Sequence, residues 1–399
     1  MPVLAQVRER FARERSLAGV KVAACLHVTA ETANLVRGLL AGGAEVGVCA
    51  ANPLSTQDDV AVALAERHGA RVLARRGESA ERYSEHVAEL VGGKPQVTID
   101  DGADLIAAVH ESAPEHAARM AGGTEETTAG LLRVRALAEG GVLACPVLAV
   151  NESRTERAFN DRFGTGQSTI DGILRATNLL LAGRTVVVLG YGWTGRGVAL
   201  RARGAGASVI VCEVDPLRAL EARMEGYEVM GALPAAERGD VFVTVTGGRE
   251  VLRGEHFERM KDGAVLANAG HFDVEIEIAV LRSLAVGGRR QALPLVEEHV
   301  LADGRRLNLL AQGRVVNLAA AEGHPASVMD VSFAAQALCV EHLVRSAGKL
   351  APEVLPVPDR IDREVARLKL DSLGIEIDEL SEEQRVYREE WEPTDPRGA

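Results

Sequence analysis

The chain has 399 residues, 47% hydrophobic and 26% charged, a composition that is typical of a folded globular protein and excludes collagen-like or disordered chains. Its formal net charge of −12, from 57 acidic against 45 basic residues, disfavours a nucleic-acid partner because the surface would repel phosphates. No apolar run reaches the roughly 18 to 20 residues of a membrane helix, and the first residues lack a signal-peptide core. We therefore expect a cytoplasmic protein of two domains with no membrane partner.

The five cysteines lie far apart, mostly inside strand-like runs. This spacing predicts neither a disulfide framework nor a metal site. We interpret them as small core residues, and they are Cys25, Cys49, Cys145, Cys212 and Cys339.

Short β-rich runs alternate with helical patterns, as in parallel sheets that are covered by helices. The first series comprises residues 20–26, 45–50, 70–73, 96–101 and 147–151. The second begins at Arg184 and comprises residues 185–190, 208–215, 241–246, 264–269 and 306–311. The pattern predicts an α/β fold with two doubly wound parallel-sheet domains. The pattern also predicts a long helix over residues 327–347. A short, charged C-terminal tail follows this helix and contains a helical stretch over residues 360–370.

A glycine-rich turn opens the second domain. Strand-like residues 185–189 are followed by Gly190-Tyr191-Gly192-Trp193-Thr194-Gly195 and then by a helical pattern over residues 196–203. In this context the glycines permit a tight turn, the approach of backbone N–H groups to a pyrophosphate, and close helix packing. Glu213 ends the next run, where a carboxylate accepts the ribose hydroxyls of NAD. We predict a Rossmann NAD site; Glu213 disfavours NADP, and Arg218 weakens that preference.

Three polar positions suggest a second site at the ends of the first strands. His27 closes a strand-like run at the edge where α/β sites form, although an isolated histidine there can be a structural hydrogen bonder. Asp101 also ends a run, and we assign the cap of the following helix to Asp104, which leaves Asp101 free. Glu31 would accept a hydrogen bond from an amine of a ligand, whereas a carbonyl oxygen at the same place would leave two acceptors facing each other. Its alternative is a solvated position in a first helical turn.

Further strings make a family resemblance specific. They are His27-Val28-Thr29-Ala30-Glu31, Ser55-Thr56-Gln57-Asp58, Asp100-Asp101-Gly102-Ala103-Asp104, Glu125-Glu126-Thr127-Thr128, Gly270-His271-Phe272-Asp273-Val274-Glu275, Asn317-Leu318 and Gly323-His324-Pro325. In this order and spacing the chain resembles the S-adenosylhomocysteine hydrolase (adenosylhomocysteinase) family over nearly its whole length. The resemblance implies a substrate domain of residues 1–155 and 326–356, an NAD domain of residues 156–325, an oligomerisation tail of residues 357–399, and a homotetramer.

The resemblance also implies a reaction. Bound NAD would oxidise the 3′-hydroxyl of an adenine nucleoside, which acidifies the 4′ C–H and allows homocysteine to leave and water to add at the 5′ carbon. His27 and Asp101 would handle protons around these carbons, Glu126 would bind the ribose hydroxyls, and His271 would lie beside the leaving group. Thr29, Glu31, Gln57 and His324 would recognise the substrate. The cofactor would contact Thr127, Thr128, Asp161, Gly190, Gly192, Trp193, Thr194, Gly195, Glu213, Arg218, Thr246, Asn268, Gly270 and Asn317.

The chain departs from the family's pattern between residues 151 and 161. The family has a lysine at Glu156, an aspartate at Asn160 and an asparagine at Asp161, and its lysine and aspartate assist removal of the 3′-hydroxyl proton. The substitutions change that ionic arrangement. Either Glu156 is itself the catalytic base, with Arg154 or Arg157 supplying positive charge, or the site binds a nucleoside without turning it over by the family's route.

Other departures lie nearby. Near the cofactor, Thr165 stands where the family has a cysteine, Ala129 where it has a threonine, and Arg218 where it has an asparagine. Glu322 stands where the family has an apolar residue near the adenine. The family's C-terminal lysine and tyrosine are absent. We therefore expect an NAD-dependent enzyme of this type that has diverged in substrate or outcome, for example towards 3′-epimerisation or altered 5′ elimination and addition. The alternatives are ordinary hydrolysis of S-adenosylhomocysteine and a non-catalytic NAD- or nucleoside-binding protein.

Overall fold

The computed structural model describes residues 1–270 and 273–389, so His271 lies outside the described residues. Seven parallel strands form the first sheet: β1 (Lys21–Leu26), β2 (Glu45–Ala50), β3 (Arg71–Leu73), β4 (Val97–Asp100), β5 (Gly122–Glu125), β6 (Val147–Ala149) and β15 (Val354–Pro356). Their order across the sheet is β15-β6-β5-β4-β1-β2-β3. The strands β5, β4 and β1 are therefore neighbours.

Eight strands form the second sheet: β7 (Thr185–Leu189), β8 (Ser208–Cys212), β9 (Glu228–Val229), β10 (Val241–Thr244), β11 (Ala264–Asn268), β12 (Ala285–Leu293), β13 (Val296–Leu301) and β14 (Arg306–Leu310). Their order is β12-β13-β14-β11-β10-β7-β8-β9. The sheet is parallel except that β13 runs antiparallel to both β12 and β14. The predicted α/β fold with two parallel-sheet units is confirmed.

Helices cover the sheets. Those before the second sheet are α1 (Pro2–Glu14), α2 (Ala30–Ala41), α3 (Asp58–His68), α4 (Ala80–Gly92), α5 (Asp104–Ser112), α6 (Pro114–Ala117), α7 (Thr128–Glu139) and α8 (Gly166–Thr177). The others are α9 (Trp193–Gly204), α10 (Pro216–Met224), α11 (Ala232–Ala236), α12 (Gly254–Phe257), α13 (Ile278–Leu284), α14 (Val316–Ala319), α15 (Ala326–Arg345), α16 (Asp359–Ser372) and α17 (Glu382–Glu389).

The first sheet is buried on both faces, which explains why β1 reads as a continuous apolar run from Val22 to Leu26. On one face, α1, α2 and α15 supply side chains such as Phe11, Leu35 and Phe333. On the other, the core includes Leu90 and Leu105. Within the described residues, α15 is the one helix with the length and mean hydropathy (1.2) of a membrane span, but 78% of that stretch is buried in the protein.

A single helical rod leads from the first unit to the second. It starts with one turn at Arg154 and Thr155, continues as a π-helix over Glu156–Thr165, and ends as α8. Its first part packs on α15 and α9, and α8 packs on α9 and α14. π-Helical segments are rare and occur frequently at functional sites.

Several elements differ from the sequence-based expectation. The run predicted as a strand over residues 147–151 ends at Ala149 and continues as a 3₁₀ turn over Val150–Glu152. Strand β5 and the β12–β13 hairpin were not predicted. Helix α16, assigned to the tail, packs on α1 and α15; the exact division into domains stays a prediction.

Candidate active site

Polar residues follow three neighbouring strands of the first sheet. His27 follows β1, Asp101 follows β4 and Glu126 follows β5. Because parallel strands end at the same edge, these side chains converge there. The Nε2 atom of His27 lies 3.2 Å from Oδ2 of Asp101. The two residues can therefore share a proton at the edge where the sequence predicts a substrate site.

Hydrogen bonds orient the ring of His27. Its Nδ1 atom lies 2.6 Å from Oγ of Ser55, whose hydroxyl donates to the carbonyl oxygen of Asn52 at 2.8 Å. The side chain of His27 is 21% exposed, whereas that of Asp101 is 7% exposed. The imidazole is thus the member of the pair that a substrate can reach.

The cap of helix α5 differs from the prediction, which assigned it to Asp104. The carboxylate of Asp100 accepts the backbone N–H groups of Leu105 at 2.7 Å and Ile106 at 3.2 Å. Ala103, at φ 63°, turns the chain so that these N–H groups point back towards the end of β4. Asp104 instead accepts hydrogen bonds from Tyr83 and Arg133. Asp101 remains available, as expected, and burial raises the pKa of Asp100 to about 7.

Glu125 ties the loop after β4 to the start of α7. Its Oε1 atom accepts hydrogen bonds from the N–H of Gly102 and from the N–H and hydroxyl of Thr127. Burial is the main reason that the pKa of Glu125 rises to about 8. The hydroxyl of Thr127 also caps α7, and that of Thr128 donates to Asn151. Both threonines, predicted to contact the cofactor, therefore have protein partners at this helix start.

Glu126 is held by a relay of side chains. The hydroxyl of Thr124 donates to Oε1 of Gln336 at 2.9 Å, and Nε2 of Gln336 donates to Oε2 of Glu126 at 2.5 Å. Burial and the charges of Asp101 and Glu156 raise the pKa of Glu126 well above its usual range. A carboxyl group in this state can donate or accept a hydrogen bond towards a ribose hydroxyl.

The glycine turn has the geometry that a dinucleotide requires. Gly190 has φ +105°, and a Cβ on Gly195 would lie too close to the carbonyl oxygen of Gly190. Above Gly192 the space is open, because the nearest atom to an added Cβ is Nη1 of Arg218 at 3.9 Å. Trp193 and Thr194 begin α9, whose N-terminus favours a phosphate at this position.

Glu213 lies at the end of β8, as predicted, but its carboxylate already has partners. It accepts the N–H groups of Tyr191 at 2.6 Å, Val214 at 2.7 Å and Asp215 at 3.0 Å. A carboxylate can still accept further hydrogen bonds from ribose hydroxyls.

Other predicted cofactor residues surround the same edge of the second sheet. Glu275, which the sequence did not single out, accepts hydrogen bonds from the N–H and hydroxyl of Thr246. Asn268 accepts the N–H of Gly270 and donates to its carbonyl oxygen. Asn317 is buried, and its side-chain carbonyl oxygen has no hydrogen-bond partner among the described residues. A ligand amide would satisfy that atom.

Comparisons with known proteins cover both units. Residues 1–121 match the family model "S-adenosyl-L-homocysteine hydrolase", and residues 161–323 match its "NAD binding domain". The chain is 59% identical to the adenosylhomocysteinase of Aquifex aeolicus, covering 98% of this chain and 94% of the relative. It is 54% identical to that of Thermococcus kodakarensis (98% and 93% covered) and 53% identical to the S-inosyl-L-homocysteine hydrolase of Methanopyrus kandleri (98% and 92%).

The chain belongs to the S-adenosyl-L-homocysteine hydrolase family. It is thus an enzyme that uses NAD, and the alternative of a non-catalytic binding protein is set aside. The open space above Gly192 and the unpartnered oxygen of Asn317 fit this cofactor.

The residues that depart from the family's pattern form a buried cluster on the π-helix. Glu156 is 2% exposed, and its Oε1 atom accepts hydrogen bonds from Asn160 and, at 2.9 Å, from Ser332. Within the described residues, Oε2 of Glu156 and Oδ1 of Asn160 have no hydrogen-bond partner. Burial and the charge of Asp161 raise the pKa of Glu156 to about 8. Burial also raises the pKa of Asp161 to about 7.

Neither candidate arginine compensates Glu156. Arg154 is exposed, and Arg157 pairs with Glu152 at 3.2 Å. The structure thus brings Glu156 and Asn160 together but gives Glu156 no ion pair in the part of the chain that is described.

The predicted substrate-recognition residues occupy helix starts and one loop. Thr29 and Gln57 precede α2 and α3, and Glu31 lies in the first turn of α2. His324 hydrogen-bonds through Nε2 to the hydroxyl of Thr165 at 2.9 Å, and burial lowers the pKa of His324 to about 4, so the ring is neutral. Glu322, expected near the adenine, instead has an 80% exposed side chain that pairs with Arg175.

Ser332 and Gln336 are site residues that the sequence analysis missed. They lie four residues apart on one face of α15 and reach Glu156 and Glu126, respectively. Polar residues at this spacing inside an apolar helix were the available signal, since buried polar groups need partners. Among the described residues no group of three or more His, Cys, Asp or Glu side chains is arranged for a metal ion.

Proposed function

We propose that the protein catalyses reversible hydrolysis of S-adenosyl-L-homocysteine to adenosine and homocysteine, with Glu156 in the role of proton acceptor for the 3′-hydroxyl. The observation that carries the proposal is the convergence of the His27–Asp101 pair with the half-buried carboxyl group of Glu126 and the buried carboxyl group of Glu156. Family membership and the adenosylhomocysteinase relatives support the substrate.

Glu156 is suited to remove the 3′-hydroxyl proton. A general base works best when its pKa lies near the working pH, and burial brings the pKa of Glu156 to about 8. Within the described residues, its Oε2 atom and the Oδ1 atom of Asn160 are buried and have no hydrogen-bond partner, so hydroxyl groups of a ribose bound against them would satisfy both atoms. When bound, NAD supplies the hydride acceptor for the 3′ carbon and returns the hydride at the end of turnover.

His27 and Asp101 then act on the 4′ and 5′ carbons. One of them removes the 4′ proton, the bond between the 5′ carbon and sulfur breaks, and homocysteine leaves with a proton on sulfur. Water then adds across the resulting 4′,5′ double bond, with its hydroxyl on the 5′ carbon and a proton returned to the 4′ carbon. Because the pair lies within 3.2 Å, a single proton can pass between them during elimination and addition. Glu126 holds the ribose hydroxyls from the neighbouring strand.

We propose adenine as the base, with Glu31 accepting a hydrogen bond from the exocyclic amine. The relative in Methanopyrus kandleri is named for S-inosyl-L-homocysteine, which makes hypoxanthine the competing base. Turnover of S-adenosyl- and S-inosyl-homocysteine by the same preparation distinguishes the two; a higher kcat/KM for the inosyl compound would reject the adenine assignment.

The substitutions at Glu156 and Asn160 favour a second candidate, a redirected outcome such as 3′-epimerisation or altered 5′ elimination and addition. NAD-loaded protein is mixed with S-adenosylhomocysteine and, separately, with adenosine, and the products are separated by chromatography. Adenosine and homocysteine support the main proposal, whereas a nucleoside isomer supports the second. The same product analysis is made with Glu156→Gln, which removes the carboxyl group of Glu156. Glu322→Gln, which changes an exposed glutamate that pairs with Arg175, is the matched control.

We also propose a cytoplasmic homotetramer. Exposed apolar side chains on α10 (Leu217, Leu220 and Met224) and after α16 (Ile375 and Ile377) support subunit contacts. The five cysteines are free and buried, which fits a reducing compartment. Light scattering of the purified protein tests the assembly; a monomeric mass would reject it.

A further inference from the structure

The helical rod that carries Glu156 begins with backbone N–H groups that no helical residue can accept. Ser153 accepts the N–H of Glu156 at 3.2 Å through its hydroxyl oxygen. The N–H groups of Arg154 and Thr155 are instead accepted by the carboxylate of Asp362, at 3.0 Å and 3.1 Å. The hydroxyl of Thr155 donates to the same carboxylate at 2.6 Å.

Asp362 reaches this position from a distant part of the chain. It lies on α16, 207 residues after Thr155, and is 7% exposed. Since α16 packs on α1 and α15, its position is fixed by the core of the first unit. A carboxylate at a helix N-terminus is also favoured by the helix dipole. Helix α16 therefore anchors the rod one residue before Glu156.

We propose that Asp362 is a positioning residue for Glu156: its carboxylate fixes the start of the rod and places a negative charge at that helix start. The inference rests on the proposed role of Glu156, and it adds that the helix after the last strand of the first sheet belongs to the active-site framework.

The surroundings of Glu156 support both parts of the proposal. Ser332 on α15 and Asn160 on the rod hold its Oε1 atom, so the anchored backbone and these donors define where the carboxyl group lies. The ionisable groups that face Glu156 are Asp161 on its own helix, Glu126 after β5, Asp362 on α16 and the thiol of Cys339 on α15. None is a cation, so removing one negative charge lowers the pKa of Glu156.

The chain offers a matched control for Asp362. Asp330 on α15 is fully buried and accepts the N–H groups of Val3 at 3.2 Å and Leu4 at 2.9 Å, at the start of α1. It anchors another helix in a similar way, and it also accepts a hydrogen bond from Nζ of Lys369 on α16 at 3.1 Å. Asp362→Asn and Asp330→Asn each remove one charge and weaken one helix start, but only Asp362 contacts the rod that carries Glu156.

The experiment measures Glu156 directly. The infrared C=O band of the protonated Glu156 carboxyl group is assigned by its loss in Glu156→Gln. The intensity of this band is then measured against pH in each variant, and the midpoint is the pH at which half of the band is lost. We expect Asp362→Asn to move the midpoint to lower pH and Asp330→Asn to leave it unchanged. Hydrogen exchange should rise over residues 154–165 in Asp362→Asn and over residues 2–14 in Asp330→Asn. An unchanged or higher midpoint in Asp362→Asn would overturn the proposal.

Thr155→Val separates anchoring from charge and remains informative if Asp362→Asn fails to fold. It removes the 2.6 Å contact but keeps the carboxylate. We expect faster exchange over residues 154–165 with an unchanged midpoint, and unchanged exchange would overturn the anchoring. Because neither readout requires turnover, these results are independent of the product analysis that tests the proposed function.

Discussion

Two pairs of carboxyl groups, Glu213 and Glu275 near the second sheet and Glu126 and Glu156 near the first, have different hydrogen-bond surroundings. At the edge of the second sheet, Glu213 and Glu275 are surrounded by backbone N–H donors, three for Glu213. At the edge of the first sheet, Glu126 and Glu156 have few donors and lie close enough to other carboxyl groups that burial and mutual repulsion raise their pKa.

This difference separates two tasks. The carboxylates of Glu213 and Glu275 bind several backbone N–H groups and so fix the loops around the cofactor site. Carboxyl groups that keep a proton and an unpartnered oxygen can exchange that proton with a substrate. The comparison predicts that changes at the first edge act on chemistry, whereas changes at the second act on cofactor binding and stability.

The largest effect is expected at the proton-sharing pair. Replacing His27 by Asn should lower kcat by about 10² to 10⁴-fold, because a positioned acid–base group contributes a factor of this size. NAD affinity, measured by calorimetry on the apoprotein, should stay near that of the unmodified protein, since the pair lies at the other sheet. Equal losses of NAD affinity and kcat would contradict the division of tasks.

The glycine turn gives the opposite pattern. Gly195→Ala places a Cβ against the carbonyl oxygen of Gly190 and should cost about 1–3 kcal/mol in the free energy of unfolding, together with weaker NAD binding. Gly204→Ala, at the open end of α9, is the control and should change stability by about 1 kcal/mol or less. Urea unfolding and NAD titration measure both, and indistinguishable behaviour of the two variants would count against the turn geometry.

A third prediction concerns the two positions, Glu156 and Asn160, at which the chain departs from the family's lysine and aspartate. The double variant Glu156→Lys, Asn160→Asp is expected to raise hydrolysis of S-adenosylhomocysteine by roughly tenfold, because a tuned lysine and a carboxylate would again share the 3′ proton. Initial rates at saturating substrate measure the change. If activity stays the same or falls, these two positions do not define the departure from the family.

The last prediction concerns stability against pH. Folded Asp100, Glu125 and Glu156 hold protons at pH values where the unfolded chain has released them, since their pKa values are raised to about 7 to 8. The free energy of unfolding of the apoprotein should therefore fall as pH rises from about 5 to 8. Glu156→Gln should reduce this slope by at most about 1.4 kcal/mol per pH unit. An identical slope in both proteins would show that Glu156 is not protonated in the folded state.

The sequence predicted the buried parallel strands well because both of their faces are covered and they read as apolar runs. It missed β5, whose residues are Gly-Gly-Thr-Glu, because that strand is set by pairing with β4 and β6 and has no apolar signature. The β12–β13 hairpin was missed because β12 is largely exposed and rich in polar residues and glycine.

Within the site, sequence reasoning identified His27 and Asp101 because each directly follows a predicted strand and topology brings those strand ends to one edge. Glu126 was expected only from the family resemblance, since the strand that precedes it, β5, was missed. It chose the wrong cap for α5, since that choice depends on the left-handed turn at Ala103. It could not find Ser332, Gln336 or Asp362, whose contacts join segments far apart in the chain.

The most direct test of the account follows formation of reduced nicotinamide after adenosine is added to the NAD-loaded enzyme over a range of pH. If Glu156 accepts the 3′-hydroxyl proton, the rate should rise with pH up to about 8 in the unmodified enzyme. In Glu156→Gln the rate should be low and lack that rise. Equal rates and equal pH profiles in the two proteins would contradict the assignment of Glu156 as the base.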